Sequence, residues 1–205
     1  MVVDFYTDPF EYCIVKDDTL IEYCKDLYKQ CKDTPVDYSK MYVNGIEQHN
    51  DGLRNVPLPS QVWDHLHTTI ENIRNKYFTE GLPEGTWSFS VTESNLSDTA
   101  PVLTPHTDDP VELYSHGAEN AGFLKFVCYI ADDFDYPDYG TKLYTLEEGK
   151  GFKLYEEVPF VNGTLLIWKP GPNSYHGTDF CTTKDHRRFF ICGEYIENEK
   201  LLGLE

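Results

Sequence analysis

The apolar positions in the first part of the chain recur at helical spacing in two stretches. The first stretch follows Asp17-Asp18, which can cap a helix, and ends near residues 33–35. Its apolar side chains fall on one face: Leu20, Ile21, Cys24, Leu27, Tyr28 and Cys31. The second follows Ser60, which we predict as an N-cap, and ends near Gly81. It has a similar face: Val62, Trp63, Leu66, Ile70, Ile73 and Tyr77. Two amphipathic helices are therefore predicted.

From residue 87 onward the apolar positions alternate with polar ones, as they do in strands. Trp87, Phe89 and Val91 show the alternation. Turns rich in Gly, Pro and Asn separate further strand candidates at 124–130, 142–146, 152–155, 163–168, 175–179 and 188–196. Many short strands at even spacing predict a sandwich or barrel, and a double-sheet jelly roll fits best after two helices. The predicted fold class is α+β, mainly β.

The length of 205 residues fits a single domain with a sizeable core. We expect helical support over residues 1–85, a jelly-roll core over 86–197 and a short tail over 198–205. The 15 Tyr and 12 Phe suit a β-rich fold. The formal net charge of −18 argues against a nucleic-acid backbone or an anionic membrane as partner.

The six cysteines form no Cys-x-x-Cys pair, so the pattern favours neither a zinc ribbon nor a thioredoxin-type site. The N-terminus lacks a basic segment followed by an apolar run. No stretch approaches the roughly 18 apolar residues of a membrane span. We therefore expect a reducing, cytoplasmic setting.

One stretch, Thr104-Pro105-His106-Thr107-Asp108-Asp109, combines an imidazole and a carboxylate two residues apart. Residues i and i+2 of a strand lie on the same face, so His106 and Asp108 can point at one metal ion. His176 follows far downstream and supplies a second imidazole. Two imidazoles and one carboxylate leave coordination positions open, as an Fe(II) ion that binds O2 requires. We therefore predict His106, Asp108 and His176 as metal ligands and catalytic residues.

The residues alone leave other readings open. His49-Asn50-Asp51 repeats the same pattern, although it is more simply a polar turn, and His116 and His186 are also possible ligands. A different cupin-type metalloenzyme could use His116 or Glu112, although no His-x-His occurs in the chain. In a non-catalytic jelly-roll binding module, His106 and His176 would be packed side chains with no role as metal ligands.

Several segments around these residues resemble the Fe(II)/2-oxoglutarate-dependent dioxygenase superfamily, in its prolyl-hydroxylase-like branch. The series His106-x-Asp108, a distal His176 and a basic residue 11 or 12 positions later is similar to the family's metal and cosubstrate motif. Residues 126–132 resemble the strand that carries a cosubstrate-contacting tyrosine, which matches Tyr129. Residues 139–143 resemble the turn that follows, with Tyr139 in place of one glycine, and 162–168 resemble the strand before the distal histidine.

The resemblance covers about residues 87–196 and implies a double-stranded β-helix (jelly roll, cupin-like) with N-terminal buttressing helices. It implies Fe(II) as metal and 2-oxoglutarate and O2 as cosubstrates. The 5-carboxylate of 2-oxoglutarate would bind Arg187, which the usual spacing favours, or Arg188, which strand alternation favours. The family oxidises 2-oxoglutarate to succinate and CO2 and hydroxylates its substrate through a ferryl intermediate.

The sequence does not name the substrate, which we expect to be a peptide residue or a small molecule. The loops predicted to select it, at 95–100, 109–121 and 132–138, carry many acidic side chains. A cationic substrate is one hypothesis that follows from their charge.

Overall fold

The structure is a computed structural model that describes residues 1–34, 41–43, 46–48, 56, 58–94, 103–108, 123–131, 140–178 and 188–197. Two helices are present in these ranges, α1 (Asp18–Asp33) and α2 (Ser60–Tyr77). The strands follow in chain order as β1 (Val2–Tyr6), β2 (Tyr12–Lys16), β3 (Met41–Val43), β4 (Ile46–Gln48), β5 (Gly85–Ser94), β6 (Leu103–His106), β7 (Leu124–Ile130), β8 (Thr141–Glu147), β9 (Gly151–Val158), β10 (Thr164–Trp168), β11 (His176–Thr178) and β12 (Arg188–Glu197).

The strands form two main sheets that face each other. The larger sheet has the order β1-β2-β10-β7-β12-β5 and the smaller has the order β6-β11-β8-β9, while β3 and β4 form a separate two-stranded sheet. Every strand pair among the described residues is antiparallel. The expectation of a mainly β chain with two N-terminal helices is confirmed.

Helix α1 begins where the sequence predicts, because Asp17 caps it. Its carboxylate accepts hydrogen bonds from the backbone N–H groups of Thr19 (2.8 Å) and Leu20 (3.3 Å), which have no acceptor within the helix. Helix α2 begins at Ser60 itself, and Pro59 at its N-cap makes no side-chain capping bond. The prediction that Ser60 is the N-cap is therefore wrong, because Ser60 is the first residue of the helix.

The larger sheet separates two apolar layers. On one side it packs against the buried faces of both helices, through side chains that include Cys24, Leu66, Phe126 and Ile191. On the other side a second apolar cluster fills the space between the two sheets, and it includes Ile14, Val127, Tyr129, Leu143 and Leu166. Strand β7 serves both layers because its side chains alternate between the two faces. The space between the sheets is where the candidate site lies.

The first sixteen residues contribute two strands to the larger sheet. Strand β2 pairs with β10, and β1 pairs with β2, so both belong to the larger sheet. A strand with apolar side chains on both faces does not alternate clearly, so the local pattern of the sequence does not indicate this place in the sheet. In the part of the chain that the structure describes, neither helix is long and apolar enough to cross a membrane.

Candidate metal centre

Strand pairing brings the two predicted histidine ligands together. His106 is the last residue of β6 and His176 is the first of β11, and the two are direct partners in the antiparallel register. Directly paired residues project from the same face of a sheet, and their ring centroids lie 4.4 Å apart. Asp108 follows two residues after the end of β6.

The carboxylate of Asp108 lies beside both imidazoles. Its Oδ2 is 3.3 Å from Nε2 of His176, and its Oδ1 is 3.9 Å from Nε2 of His106. One potential ligand atom from each residue lies within 4.8 Å of the others, and His176 is buried while the other two are half-buried. Within the ranges given above, no other group of three such side chains is this close. The structure thus brings together the three residues that we predicted as ligands.

A backbone contact determines which nitrogen of His176 can bind a metal. Nδ1 of His176 lies 3.0 Å from the carbonyl oxygen of Ser174. Because a carbonyl oxygen can only accept, Nδ1 carries a proton and donates it. The lone pair for a metal is then on Nε2, the atom that faces Asp108. This orientation fits a metal ligand.

The electrostatics of Asp108 also fit a cation site. Burial acts to raise the pKa of this carboxyl, but the hydrogen bond with His176 and the electrostatic interaction with the neighbouring basic groups of His176, Lys125 and His106 outweigh it and hold the pKa well below its usual range. Asp108 is therefore ionised at neutral pH. Two imidazoles and one carboxylate suit a divalent metal such as Fe(II) and leave further coordination positions for other ligands.

A buried basic side chain lies elsewhere between the sheets. Arg188 begins β12 and is only 5 % exposed. Its guanidinium carbon lies 5.7, 5.5 and 4.8 Å from the ring centroids of Tyr129, Phe160 and Phe190. The next residues of β12 alternate as we predicted, with Phe189 and Ile191 in the layer that faces the helices. Arg187 lies outside the described residues.

The Tyr129 ring beside Arg188 carries a hydroxyl group that is hydrogen-bonded to the hydroxyl group of Thr141. The Tyr129 hydroxyl donates a hydrogen bond of 2.6 Å to Oγ1 of Thr141, and both residues are buried. Burial raises the pKa of Tyr129, although the nearby charge of Arg188 and the bond to Thr141 act to lower it. Thr141 was missed in the sequence analysis, and its position in the turn-like segment 139–143 was the only available signal.

A cavity of about 390 Å³ opens beside Asp108 and His176. Its polar lining includes Ser88 and Ser90. It also includes Lys125 and Glu194, which were not predicted from the sequence. The ammonium of Lys125 lies 3.6 Å from Oδ2 of Asp108 and 3.9 Å from Oε2 of Glu194. The volume falls within the range of small-molecule and side-chain pockets.

The competing candidates lie outside the described residues. These are His49-Asn50-Asp51, His116, His186 and Glu112. The three substrate-selecting loops that we predicted also lie entirely outside them.

Comparison with known proteins finds no matching family model and no matching curated protein. Solved structures do match. A prolyl hydroxylase from Trichoplax adhaerens, in complex with a hypoxia-inducible-factor oxygen degradation domain peptide fragment, is similar over 95% of this chain and 87% of its own, with 11% identity and a TM-score of 0.60. A Pseudomonas putida prolyl-4-hydroxylase matches over 91% of this chain and 92% of its own, with 11% identity and a TM-score of 0.53.

A third similar structure contains a metal and a cosubstrate. HygX from Streptomyces hygroscopicus, solved with nickel and 2-oxoglutarate bound, matches over 91% of this chain and 83% of its own, with 11% identity and a TM-score of 0.52. At this identity the likeness concerns the fold. The neighbours confirm, at the level of the fold, that this chain resembles the Fe(II)/2-oxoglutarate-dependent oxygenases and their prolyl-hydroxylase-like branch.

Proposed function

We propose that this chain is an Fe(II)- and 2-oxoglutarate-dependent dioxygenase that hydroxylates a peptide residue or a small molecule. The observation that carries the proposal is the cluster of His106, Asp108 and His176, with Nε2 of His176 directed at Asp108. The catalytic core is a double-stranded β-helix over residues 86–197, formed by the two facing sheets. Strands β1 and β2 extend the larger sheet beyond that core.

The three clustered residues hold the Fe(II) ion. Ser174 keeps His176 in the tautomer that ligates through Nε2, and the low pKa of Asp108 keeps its carboxylate ionised and ready to bind a cation. When bound, Fe(II) and 2-oxoglutarate activate O2, so that one oxygen atom enters the substrate C–H bond and the other enters succinate, with release of CO2.

Arg188 binds the 5-carboxylate of 2-oxoglutarate. A buried guanidinium surrounded by aromatic rings suits an anionic partner, because its fork of N–H donors matches a carboxylate. With 2-oxoglutarate bound, the Tyr129 hydroxyl donates to the same carboxylate, and the Thr141 hydroxyl, which accepts from Tyr129 in the free protein, donates to the Tyr129 oxygen and orients it. These contacts support Arg188 over Arg187 for this role.

The cavity beside the metal ligands receives the substrate group that is hydroxylated. Its volume of about 390 Å³ suits an amino-acid side chain or a compact small molecule. The peptide bound to the Trichoplax neighbour supports a peptide as one possible substrate. A cationic substrate stays a prediction from the acidic loops.

The proposal is tested under anaerobic conditions with purified protein. Addition of Fe(II) and then 2-oxoglutarate is expected to produce a weak visible charge-transfer band, and exposure to air is expected to yield succinate. His106→Ala and Asp108→Ala remove metal ligands, so each should abolish both signals. His65→Ala is the matched control, because His65 pairs with Asp17 at the helices and should leave both signals intact. A band that survives both ligand changes contradicts the assignment.

A further inference from the structure

Lys125 stands between two carboxylates in the cavity beside the proposed metal. Its ammonium lies 3.6 Å from Oδ2 of Asp108 and 3.9 Å from Oε2 of Glu194. The side chains of Lys125, Asp108 and Glu194 are 21%, 20% and 31% exposed, so these three charged groups are largely screened from water. Their interactions are consequently stronger than those of surface ion pairs.

The sheet fixes this arrangement. Lys125 on β7 is the direct register partner of Glu194 on β12 and of Trp168 on β10. The Trp168 ring in turn lies 5.0 Å from the His176 ring. Three adjacent strands of one sheet therefore place Lys125, and with it Glu194, at the wall of the metal centre.

A second carboxylate in the same cavity could compete for the metal of the proposed centre. Carboxylate oxygens are good ligands for divalent first-row metals. Glu194 lines the same cavity as Asp108 and His176. If it joined the three ligands, or if Asp108 bound through both oxygens, fewer positions would be left for 2-oxoglutarate and O2.

We propose that Lys125 is a positioning residue that limits the metal to three protein ligands. Its ammonium holds Glu194 away from the metal and engages one oxygen of Asp108, so that Asp108 binds the metal through a single oxygen. This inference rests on the proposed function, and it adds a role for Lys125 and Glu194 that the ligand motif does not contain.

Removal of Lys125 has two opposite effects, which give the inference a specific signature. Loss of the ammonium removes a positive charge near the metal and removes the ion pair between Lys125 and Glu194, and both changes favour metal binding. The same changes fill positions that 2-oxoglutarate needs. Lys125→Met should therefore bind metal at least as tightly as the unaltered protein and bind 2-oxoglutarate more weakly.

The test uses Mn(II), which allows the metal-bound waters to be counted by magnetic resonance without any turnover. The unaltered protein is expected to hold Mn(II) with about three exchangeable waters, as a three-ligand site in octahedral geometry does. Lys125→Met should lose at least one water, keep or improve its Mn(II) affinity, and bind 2-oxoglutarate roughly tenfold more weakly. Lys125→Arg, which keeps the charge, should resemble the unaltered protein.

A double variant tests whether Glu194 is the additional metal ligand in Lys125→Met. In Lys125→Met/Glu194→Gln the neutral amide is a poor ligand, so the waters and the 2-oxoglutarate affinity should return toward the unaltered values. Lys153→Met is the matched control, because Lys153 is also an ion-paired lysine on a strand but contacts Glu147 outside the cavity. If Lys125→Met does not fold, Lys125→Gln, which keeps a polar head, is measured in the same way.

The possible results separate this inference from the proposed function. If the unaltered protein binds no Mn(II), the proposed function itself fails. If it binds Mn(II), and Lys125→Met keeps both its water count and its 2-oxoglutarate affinity, the role of Lys125 is overturned and the metal centre stands. A Lys125→Met protein that is folded but has lost metal binding would also overturn it, because Lys125 would then only support Asp108.

Discussion

At the scale of single residues, the centre depends on a few buried polar atoms whose orientation neighbouring atoms hold. The carbonyl oxygen of Ser174 keeps a proton on Nδ1 of His176, and the hydroxyl of Thr141 accepts from Tyr129. Neither supporting group belongs to the ligand motif. Buried polar groups are costly to leave without a partner, so such contacts restrict their neighbours to one orientation.

Arg188→Met is expected to weaken 2-oxoglutarate binding about a hundredfold and to leave Mn(II) binding unchanged. Truncation of one partner of a buried, hydrogen-bonded charge pair costs about 3 kcal/mol, which corresponds to that factor. Calorimetric titration of the Mn(II)-loaded protein measures it. Arg74→Met is the matched control, since Arg74 also lies over an aromatic ring, Tyr195, but pairs with Glu71 on α2. Equal effects of the two changes would show that Arg188 does not bind the cosubstrate.

Thr141→Val is expected to have a smaller effect in the same titration. It replaces the hydroxyl with a methyl group of similar size and leaves the Tyr129 hydroxyl without the hydrogen-bond partner that orients it, at a cost of about 1 kcal/mol or roughly fivefold in affinity. Thr141→Ser should restore most of the affinity. If the Val and Ser variants bind 2-oxoglutarate equally well, the hydroxyl has no part in orienting Tyr129.

At the scale of elements, the N-terminus of α1 is held by the side chain of Asp17, which also meets α2. Its Oδ2 lies 3.3 Å from Nε2 of His65. Burial acts to raise the pKa of Asp17, but the bonds from the amides of Thr19 and Leu20 and the charge of His65 outweigh it and lower the pKa. One carboxylate thus caps a helix and joins the two helices that support the larger sheet.

Asp17→Ala is expected to lower the free energy of unfolding by about 1–2 kcal/mol at pH 7, the usual cost of a lost N-cap. Because the pKa of Asp17 is lower in the folded than in the unfolded protein, its ionised form stabilises the fold above the unfolded pKa of about 3.9. That stability is lost as the pH falls through the folded pKa. Urea unfolding at pH 7 and in acid measures both values, and the difference between the two proteins should shrink in acid.

Asp18→Ala provides the control for the cap. Asp18 lies one position later, in the first turn of α1, and interacts with the helix dipole without capping it. Its removal should cost less than that of Asp17. Equal losses for the two variants would show that the carboxylate of Asp17 contributes only a general negative charge.

At the scale of the whole molecule, the two sheets contribute different parts of the proposed site. The smaller sheet carries both histidines, while the larger sheet carries Arg188, Tyr129 and Lys125. Binding of metal and cosubstrate between the sheets should therefore stabilise the folded chain as a unit. A ligand at one hundred times its dissociation constant stabilises a folded protein by about 2.7 kcal/mol.

We expect Mn(II) and 2-oxoglutarate together to raise the melting temperature by several degrees, as the stabilisation by bound ligand implies. The cosubstrate alone should produce little shift, because it needs the metal. Differential scanning calorimetry of the unaltered protein and of His106→Ala measures the effect. A shift that persists in His106→Ala would place the binding of 2-oxoglutarate at another site.

The sequence by itself determined the features that depend on local periodicity. The buried face of α1, its cap at Asp17 and the alternation along β5 and β12 follow from side-chain spacing alone. The His106-x-Asp108 pattern was also visible, yet it had the same form as His49-Asn50-Asp51. Residue spacing cannot tell which of these two His-x-Asp patterns binds a metal, because both have the same local geometry.

Only the tertiary structure decided which distant residues meet. The pairing of His106 with His176, and of Lys125 with Glu194, depends on strand register between segments about seventy residues apart. The place of β1 and β2 in the larger sheet likewise depends on β10, which lies far along the chain. The register of paired strands is set by how whole sheets pack, and a shift of the register by one residue would turn each side chain of the strand to the opposite face. Contacts of this kind leave no mark in the local pattern of the sequence.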